Sequence, residues 1–441
     1  MKISKTLMIT TMAGLSLIAC KKDKDNGGGG GGTQPSTQNF KVTIENISQD
    51  KKFFASGHFN TPVGDASPGG AAPGKSYAFD FNAPEGAKLS FATMFVMSND
   101  LFYGPDGMGI ELYNNGNPVT GDVTNQLDLW DAGTEVNEMP GTGPNQPLNQ
   151  SGPNTGPDEN GTVRTIMDVN DGYTYPTLNT AIKAMLTYNG DGNFTMTIEN
   201  LNSNPSPIAP GVWVVHNADN PLFEENASDM MQGLEALAED GDPSMLADYL
   251  HMNTGIASPL APGVWAVHSA GYPLFQDGME DFGEGLEALA EDGDPSGLIA
   301  NVMNKAEVKS SGVFNTPVGA GGPGPLMPGN SYEFEFTASQ GDLLSFATMF
   351  VQSNDIFYGP DDAGMPLWNG NNVVLGDITS SIDFWDAGTE VNEYPGTGVN
   401  QPIRQAGPNT GTTENGNVRI VDDGYTYLST DETIRVTISL N

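Results

Sequence analysis

Apolar and polar side chains alternate along many short segments of the chain. Residues 77–81 read Tyr-Ala-Phe-Asp-Phe, residues 332–336 read Tyr-Glu-Phe-Glu-Phe, and residues 434–440 continue the alternation with isoleucine and valine. A period of two buries one face of a strand and leaves the other in solvent, as in antiparallel sheets. The 56 glycines and 31 prolines supply turn residues between such strands. The pattern therefore predicts antiparallel β-sandwiches, whereas a parallel α/β fold would need a helix after nearly every strand.

The chain contains one long phrase twice. Residues 91–156 match residues 346–411 without a gap, at a constant offset of 255, and both copies contain "WDAGTEVNE" and "GPNTG". The strand phrase "FKVTIENIS" at Phe40 returns as "FTMTIENLN" at Phe194, after the junction "GDGN". A repeat of this length indicates a duplicated domain. The predicted fold class is all-β, with two tandem antiparallel β-sandwich domains at residues 40–189 and 194–441.

A shorter duplication lies within the second predicted domain. The phrase that begins "APGVWVVH" at Ala209 returns at Ala261, and both copies contain "GLEALAEDGDPS". Leucine and alanine fall on one helical face at residues 234–238 and 286–290. The Asp-Pro pair that follows is a favourable helix start. We predict a duplicated strand-helix-helix insert at about residues 207–306, which covers one end of the second domain.

The amino terminus has the features of an export signal. Lys2 and Lys5 precede an apolar stretch that is short for a membrane span and ends in Leu17-Ile18-Ala19-Cys20. Because this ending resembles the lipobox of bacterial lipoproteins, we predict a lipoprotein signal peptide at residues 1–19 and lipid attachment at Cys20. The alternative is a signal peptide with an incidental cysteine. Cys20 is the only cysteine, so acylation would leave no thiol for a disulfide or a thiolate metal site.

The residues from Cys20 onward predict a flexible tether and an outer-membrane location. Residues 20–39 are charged and then glycine-rich, which is typical of a flexible, here lipidated, linker. Lys21 stands where an aspartate would indicate retention at the inner membrane in many Gram-negative lipoproteins. We therefore expect an outer-membrane lipoprotein that faces the cell surface or, alternatively, the periplasm.

The overall charge excludes some partners. The chain has 55 acidic and 17 basic residues, a formal charge of -38. Such a field repels nucleic acid and anionic lipid, so we expect no nucleic-acid partner. The 20 Phe, 13 Tyr and 5 Trp residues recur in alternating segments, which indicates a folded chain rather than an acidic disordered one.

Acidic residues concentrate in the repeated phrase. In "WDAGTE", Asp131 and Glu135 are four residues apart, and glycine and threonine between them disfavour a helix. We therefore predict a strand that ends in a bend rather than a helix, with Trp130 buried in the first copy and Trp385 in the second. Neighbouring carboxylates repel unless a proton or a cation intervenes, and Ca²⁺ prefers hard oxygen ligands in flexible geometry.

Two neighbouring loops supply further oxygens. Asp100 and Asp355 follow apolar strands in "SND" and are candidate third ligands, and Asp106 and Asp361 could complete the shell. From residue chemistry alone an alternative stays open, in which these aspartates only stabilise solvated turns.

The phrases "SNDLFYGPDG", "LWDAGTEVNE" and "GPNQ" resemble the spondin N-terminal domain in its bacterial form. In animals this domain occurs in extracellular-matrix proteins such as F-spondin and mindin. The resemblance implies a β-sandwich similar to C2 domains and Ca²⁺ binding through the acids of the "SND" and "WDAGTD" motifs. Here the last acid is Glu where the animal domains have Asp, which leaves the affinity open. The implied metal ligands are Asp100, Asp131 and Glu135 in the first copy, and Asp355, Asp386 and Glu390 in the second.

We therefore expect a lipid-anchored, calcium-binding surface protein for adhesion or for recognition of a matrix or glycan ligand. Alternatives are an envelope scaffold whose loops calcium stiffens, a C2-like lipid binder, and a secreted glycan hydrolase. A hydrolase would need two carboxylates on opposite sides of a sugar, whereas these acids share one short loop, so we expect no enzymatic activity. We interpret His216 and His268 as structural residues. Tyr103 and Tyr358 would favour a sugar platform if exposed, and core packing if buried.

Overall fold

The computed structural model describes residues 36–441. The predicted signal peptide, Cys20 and residues 20–35 of the predicted tether lie outside these residues. The end of the predicted tether, from Thr37, already belongs to the first strand. Phe40, Val42 and Ile44 are buried there and alternate with more exposed residues, which is the signature of a strand with one face in the core.

The all-β fold class is confirmed, with 35% of the described residues in strands and 12% in helices. Within the described residues the strands are β1 (Thr37–Asn46), β2 (Phe53–Phe59), β3 (Ser76–Asn82), β4 (Lys88–Phe95), β5 (Leu101–Pro105), β6 (Ile110–Glu111), β7 (Tyr113–Asn114), β8 (Asn117–Pro118), β9 (Gly121–Asp122), β10 (Leu127–Asp131), β11 (Arg164–Thr165), β12 (Ile182–Gly190), β13 (Asn193–Asn200), β14 (Ile208–His216), β15 (Gly263–His268), β16 (Val308–Phe314), β17 (Ser331–Ser339), β18 (Leu343–Met349), β19 (Ile356–Pro360), β20 (Met365–Pro366), β21 (Trp368–Asn369), β22 (Asn372–Val373), β23 (Gly376–Asp377), β24 (Ile382–Asp386), β25 (Arg419–Ile420) and β26 (Ile434–Leu440).

The helices are short. The α-helices of the described part are α1 (Leu178–Ala181), α2 (Leu234–Asp240), α3 (Ser244–Met252), α4 (Leu286–Asp292), α5 (Ser296–Val302) and α6 (Thr430–Thr433), and the 3₁₀ turns are η1 (Thr124–Gln126), η2 (Ile166–Asp168) and η3 (Thr379–Ser381). From residue 36 onward, none of them is long and apolar enough to cross a bilayer.

The strands form two sandwiches of the same design, each with a four-stranded and a seven-stranded sheet. In the first half the sheet orders are β3-β13-β12-β9 and β11-β10-β5-β4-β14-β2, with β6 paired to β4. In the second half they are β17-β1-β26-β23 and β16-β15-β18-β19-β24-β25, with β20 paired to β18. The long pairs are antiparallel, as predicted.

The strand pairing differs from the predicted division into residues 40–189 and 194–441. β1 pairs with β17 and β26, so the first strand of the chain belongs to the second half. β13, placed by the prediction at the start of the second domain, pairs with β3 and β12 of the first half. The two strands have nearly the same sequence, so periodicity could not show which sandwich each one completes.

The predicted insert at about 207–306 is likewise divided between the halves. β14 pairs with β2 and β4 of the first half, while β15 pairs with β16 and β18 of the second. Their helices follow, so that α2 and α3 pack on the first half and α4 and α5 on the second. The first half is thus the continuous segment from β2 to α3, inserted between β1 and β15 of the second half.

The core of each half lies between its two sheets and is rich in aromatic rings. In the first half Trp213 stacks on Phe79, with ring centroids 5.6 Å apart and an interplanar angle of 2°. The indole lies over Gly57, where an added Cβ would come within 2.7 Å of the Trp213 ring. Glycine is therefore needed at this position for the close approach of strand and ring. Trp265, Phe334 and Gly312 repeat the arrangement in the second half.

The helices cover the outer face of each seven-stranded sheet. Leu234, Leu237 and Ala238 are fully buried, as their spacing predicted, and pack with Trp130 of β10. The Trp130 indole N–H donates to the carbonyl of Gly104 at 3.0 Å. Burying such side chains stabilises the fold by roughly 1.5–3 kcal/mol each, and it fixes the end of β10, where the acidic phrase begins.

The two halves make direct contacts and belong to one compact unit from Thr37 to Asn441. The Tyr394 hydroxyl of the second half donates to the carbonyl of Phe54 at 3.1 Å. At the end of β1, the Asn46 amide donates to the carbonyls of Ser258 and Leu326 at 2.8 and 2.9 Å. These bonds hold the two connections that lead into and out of the inserted half.

Candidate metal centres

Each acidic phrase begins where β10 or β24 ends. Asp131 is the last residue of β10, and its Oδ1 accepts a hydrogen bond from the N–H of Gly133 at 2.7 Å. Gly133 has a φ of +69°, and an added Cβ would lie 2.6 Å from the carbonyl oxygen of Thr162. Only glycine permits this bend without strain, so the loop turns sharply and keeps the aspartate fully buried.

The aspartate of "SND" binds the acidic loop from the side. Asp100 is fully buried between β4 and β5. Its Oδ2 accepts hydrogen bonds from the N–H groups of Thr134 and Glu135 at 2.9 and 3.1 Å. Its Oδ1 is buried and has no hydrogen-bond partner among the described residues. One oxygen therefore fixes the loop, and the other is free to bind a ligand.

Glu159 supplies the third acid of the first cluster. Carboxylate oxygens of Asp100, Asp131 and Glu159 lie within 4.8 Å of one another, and we call these three residues the first cluster. The second cluster consists of Asp355, Asp386 and Glu414, at the same spacing in the repeat.

Glu135, predicted as the third ligand, has a different position. Its Oε1 accepts from the N–H of Gly156 at 2.7 Å, and its Oε2 from the amide of Asn99 at 3.1 Å. The carboxylate therefore joins the "GPNTG" segment to the "SND" loop. The structure brings Asp100 and Asp131 together with Glu159, and it places Glu135 outside this cluster. Glu390 makes the equivalent bonds to Gly411 and Asn354 in the second half.

An arginine enters each cluster from a neighbouring strand. Arg164 of β11 is paired in register with Asp131 of β10. Its guanidinium lies 3.0 Å from Asp131 Oδ2 and 2.7 Å from Glu159 Oε1. Arg419 makes the same contacts with Asp386 and Glu414, at 2.8 and 2.9 Å. An arginine from outside the acidic phrase therefore neutralises part of the negative charge of each cluster, although the phrase itself contains no basic residue.

Glu159 and Arg164 were missed by the sequence reasoning, although a signal was present. Both residues reappear at an offset of 255, as Glu414 and Arg419, just beyond the "GPNTG" phrase that both copies share. The pairing of β10 with β11 places Arg164 beside Asp131, and the contact of Arg164 with Glu159 shows that the glutamate lies there too.

The two aspartates of each cluster are buried, and a single arginine balances only part of the negative charge of the cluster. Burial, and then the neighbouring Asp131 carboxylate, raise the pKa of Asp100 well above its ordinary value. Burial and Asp386 raise the pKa of Asp355 to about 7. Burial also raises the pKa of Asp131, which the Arg164 charge partly opposes. One guanidinium faces three carboxylates, and desolvated carboxylates with unbalanced charge favour a proton or a metal ion.

Solvent reaches the first cluster through a cleft of about 460 Å³, lined by Glu159, Arg164, Asn137 and the segment 168–171. Glu159 and Arg164 are partly exposed, at 26% and 24% of their side chains, whereas Asp131 is fully buried behind them. An ion would therefore enter past the glutamate and the arginine. Three carboxylates at this spacing could hold a metal ion.

The other acids singled out from the sequence lie outside the clusters. Asp106 caps its own turn, where Oδ1 accepts from the N–H of Met108 at 2.9 Å. Asp361 does the same with Ala363 at 3.0 Å.

The tyrosines and histidines are core residues. Tyr103 and Tyr358 are fully buried, so neither forms an exposed sugar platform. His216 is also fully buried, with Nε2 2.9 Å from the Ser90 hydroxyl and Nδ1 2.6 Å from the Ala218 carbonyl. His268 has the same contacts with Ser345 and Ala270. The histidines are thus satisfied structural residues, as interpreted from the sequence.

No protein-family model and no curated protein sequence matches the chain. The resemblance to the spondin N-terminal domain thus stays a prediction from the motifs.

Proposed function

We propose that the protein is a calcium-binding surface protein whose two sandwiches each hold one Ca²⁺ ion. The observation that carries the proposal is the buried, unpartnered oxygen of Asp100 and of Asp355 inside a cluster of acids. A buried carboxylate oxygen without a hydrogen-bond donor is costly when the group is ionised. A divalent cation at each cluster would satisfy it and would also balance the neighbouring acids.

The ion would be held by Asp100, Asp131 and Glu159 in the first half and by Asp355, Asp386 and Glu414 in the second. Calcium would supply positive charge and an open coordination position toward solvent. The protein residues fix the loops. Asp100 holds the turn through the Thr134 and Glu135 amides, and Glu135 holds the "GPNTG" segment.

The biological role proposed is recognition of an extracellular glycan or protein by a lipid-anchored module on the outer membrane. It is supported by the lipobox-like ending at Cys20, by the glycine-rich tether and by the spondin resemblance. The cleft beside the first cluster adds polar side chains, including Asn137 and Asn170, next to the partly exposed Glu159. Such a surface suits a hydroxyl-rich ligand bound through the metal and through amide groups.

A second candidate function is a structural scaffold. The observation that favours it is the guanidinium of Arg164, which already bridges Asp131 and Glu159 without a metal ion. In that case the acidic loops would be braced by the arginine alone. Glycan hydrolysis is not supported by the geometry, because Asp100 and Asp131 are fully buried and no sugar could lie between them.

The two functions are separated by binding and stability measurements on the chain without its signal peptide. The calcium proposal expects a rise in melting temperature with millimolar Ca²⁺ that grows with the logarithm of its concentration. Asp100→Asn with Asp355→Asn should remove this rise, whereas Asp106→Asn with Asp361→Asn should retain it. The control pair makes the same change of charge at acids that only cap turns.

The recognition role needs a second assay. Capture of glycans or cells by the immobilised protein should occur in calcium, disappear in EDTA and return when calcium is restored. Equal capture with and without EDTA, or no calcium effect on stability, would support the scaffold instead.

A further inference from the structure

A second cavity of the first half lies beside helix α2 and has a volume of about 340 Å³. Its wall is formed by the loop before α2, by the helix itself, by the start of α3 and by Asn154. It shares no lining residue with the cleft beside the first cluster. Pockets for small molecules usually measure about 300–1,000 Å³, so this cavity suits a small ligand or a single side chain of a partner.

The charged part of the wall is entirely acidic. Four acidic residues and no basic residue line the cavity, namely Asp229, Glu235, Glu239 and Asp240. None of the four takes part in an ion pair between residues 36 and 441. Glu235 and Glu239 are four residues apart on α2, where like charges destabilise a helix. The last turn of α2 contains no basic residue, although a helix C-terminus favours positive charge. The cavity therefore concentrates unbalanced negative charge.

Two of these acids have a buried oxygen without a hydrogen-bond partner. Glu239 is only 3% exposed, and its Oε2 makes no hydrogen bond to any residue of the described part. Asp229 Oδ1 is also buried and unpartnered there. Glu235 differs, because its Oε1 accepts a hydrogen bond from the amide of Asn154 at 2.9 Å. One cavity thus contains two buried acceptors that lack a donor, and an entering donor would satisfy both.

The number of converging acids favours an organic cation over a metal ion. Among the described residues, the groups of three acids that converge closely enough to hold a metal are the first and second clusters, and neither includes an acid of this cavity. Ca²⁺ takes about six to eight oxygen ligands. An ammonium group carries three N–H donors, so two carboxylate oxygens and one water satisfy it.

Two methionines form the apolar part of the wall. Met231 and Met245 line the cavity and are 81% and 55% exposed. Met231 has a φ of +59°, in the left-handed region that side chains other than glycine rarely adopt. The positions 52 residues later hold Gly283, with a φ of +68°, and Gly297. The first half therefore has a strained, exposed methionine where its repeat has glycine. Its flexible thioether side chain can cover an aliphatic chain.

We propose that this cavity binds the primary ammonium group of an aliphatic amine, with the nitrogen between Asp229 and Glu239 and the alkyl chain along Met231 and Met245. The site goes beyond the calcium-binding function and does not depend on it. The formal charge of -38 attracts cations to the chain. The amine is either a small free molecule or a lysine side chain of a partner protein, since lysine also buries an aliphatic stem beneath its ammonium group.

The first test is calorimetry on the chain without the predicted signal peptide, in EDTA, with pentylamine and with the uncharged pentan-1-ol. Pentylamine should bind one saturable site, and pentan-1-ol should not bind. Glu239→Gln should weaken pentylamine binding at least tenfold. Glu291→Gln is the matched control, because Glu291 is an equally buried glutamate at the same position of α4. Equal binding of the alcohol, an unaltered affinity in Glu239→Gln, or a loss in Glu291→Gln would overturn the proposal.

A second variant separates a binding role of Met231 from a structural one. Met231→Gly should weaken pentylamine binding severalfold, because part of the apolar wall is lost. It should leave the melting temperature unchanged or raise it, since glycine adopts a positive φ without strain and the lost side chain is exposed. An unchanged affinity with a lower melting temperature would refute the role of Met231.

A third measurement needs no variant for its signal. In protein labelled with ¹³C at the methionine methyl groups, pentylamine should shift the resonances of Met231 and Met245. The resonance of Met303, which is 63% exposed in the second half, should not move. If Met231 and Met245 do not respond while pentylamine binds, the amine lies elsewhere and the proposal fails.

A lysine peptide identifies the source of the amine. Acetyl-Gly-Lys-Gly-amide presents the same ammonium group on a peptide backbone. If it binds at least as tightly as pentylamine and competes with it, the site takes a lysine of a partner protein. If only pentylamine binds, the site takes a small free amine. If neither compound binds, the cavity is not an amine site, whatever the outcome of the calcium titration.

Discussion

Arg164 and Asp131 face each other across the paired strands β10 and β11, with the guanidinium 3.0 Å from Asp131 Oδ2. The same guanidinium contacts Glu159 at 2.7 Å. It therefore occupies two of the three acids that would bind calcium. The guanidinium of Arg164 and a calcium ion would therefore compete for the same carboxylate oxygens.

Arg164→Gln should strengthen calcium binding severalfold, because the competing charge is removed. It should also lower the free energy of unfolding in EDTA by about 1–3 kcal/mol, since hydrogen bonds to charged groups are lost. Calorimetry and thermal unfolding in EDTA measure the two effects. Arg435→Gln is the control, because Arg435 makes only an exposed pair with Glu45 at 3.8 Å. Weaker calcium binding by Arg164→Gln would show that the arginine supports the metal rather than competing with it.

The second prediction concerns the first strand of the chain. Ile44 of β1 is fully buried in the second half, so Ile44→Ala should destabilise that half by about 2–5 kcal/mol. Hydrogen exchange should then increase in β17 and β26, which pair with β1, and not in β3 and β12.

Ile198→Ala is the matched variant for this experiment. Ile198 has the equivalent position in β13, and its loss should expose β3 and β12 instead. Faster exchange in the first half of Ile44→Ala, with the second half unaffected, would contradict the strand pairing.

The third prediction tests the close packing of Trp213. Gly57→Ala would place a Cβ 2.7 Å from the indole ring, and overpacking of this kind costs about 1–3 kcal/mol. Gly69→Ala should change stability little, because nothing lies within 4 Å of its added Cβ. Denaturant unfolding of both variants makes the comparison. Equal stabilities would mean that the indole does not lie against Gly57.

The fourth prediction is a pH dependence caused by His216. Burial lowers the pKa of His216 to about 4, from an ordinary value of 6.5. Below pH 6.5 the unfolded chain takes up a proton that the folded chain does not, so stability falls as the pH decreases toward 4. The contribution of His216 to the free energy of unfolding is fully present above pH 6.5 and amounts to roughly 3 kcal/mol at most.

Buried carboxyl groups with raised pKa values contribute the opposite slope, so wild type must be compared with His216→Asn. The stability advantage of the wild type should shrink steadily between pH 6.5 and pH 4. A constant difference over this range would show that the histidine has an ordinary pKa in the folded protein.

Much of the architecture could be predicted from the chain itself. Alternation at Tyr77, Phe79 and Phe81 identified a strand, and the spacing of Leu234 and Leu237 identified a helix face. These patterns are local, and they follow from the periods of strands and helices. The assignment of β1 and β13 is not local, because both strands carry the same apolar face and either could fill the gap in either sheet. The choice depends on the segments that connect the two halves, which are held by contacts such as that of Asn46 with Ser258.

The same distinction applies to the candidate site. Asp100 and Asp131 were predicted from their own phrases, because each follows an apolar strand at a turn. Arg164 is placed by the pairing of a two-residue strand that has no alternation to detect, and Glu159 lies in the loop before it, where its N–H donates to the carbonyl of Thr134. Glu135 is close to Asp131 in sequence. Its carboxylate, however, accepts hydrogen bonds from Asn99 and Gly156 and joins two loops instead of facing the cluster. Proximity in sequence did not show which oxygens converge.

Calorimetric titration with CaCl₂ of the chain without the predicted signal peptide decides whether the acidic clusters bind metal. We expect uptake of two ions per chain, with dissociation constants on the order of 10⁻⁴ to 10⁻³ M, and no uptake by Asp100→Asn with Asp355→Asn. If the wild-type chain takes up no calcium at millimolar concentration, or if the double variant binds as the wild type does, the acidic clusters are braced by their arginines and hold no metal.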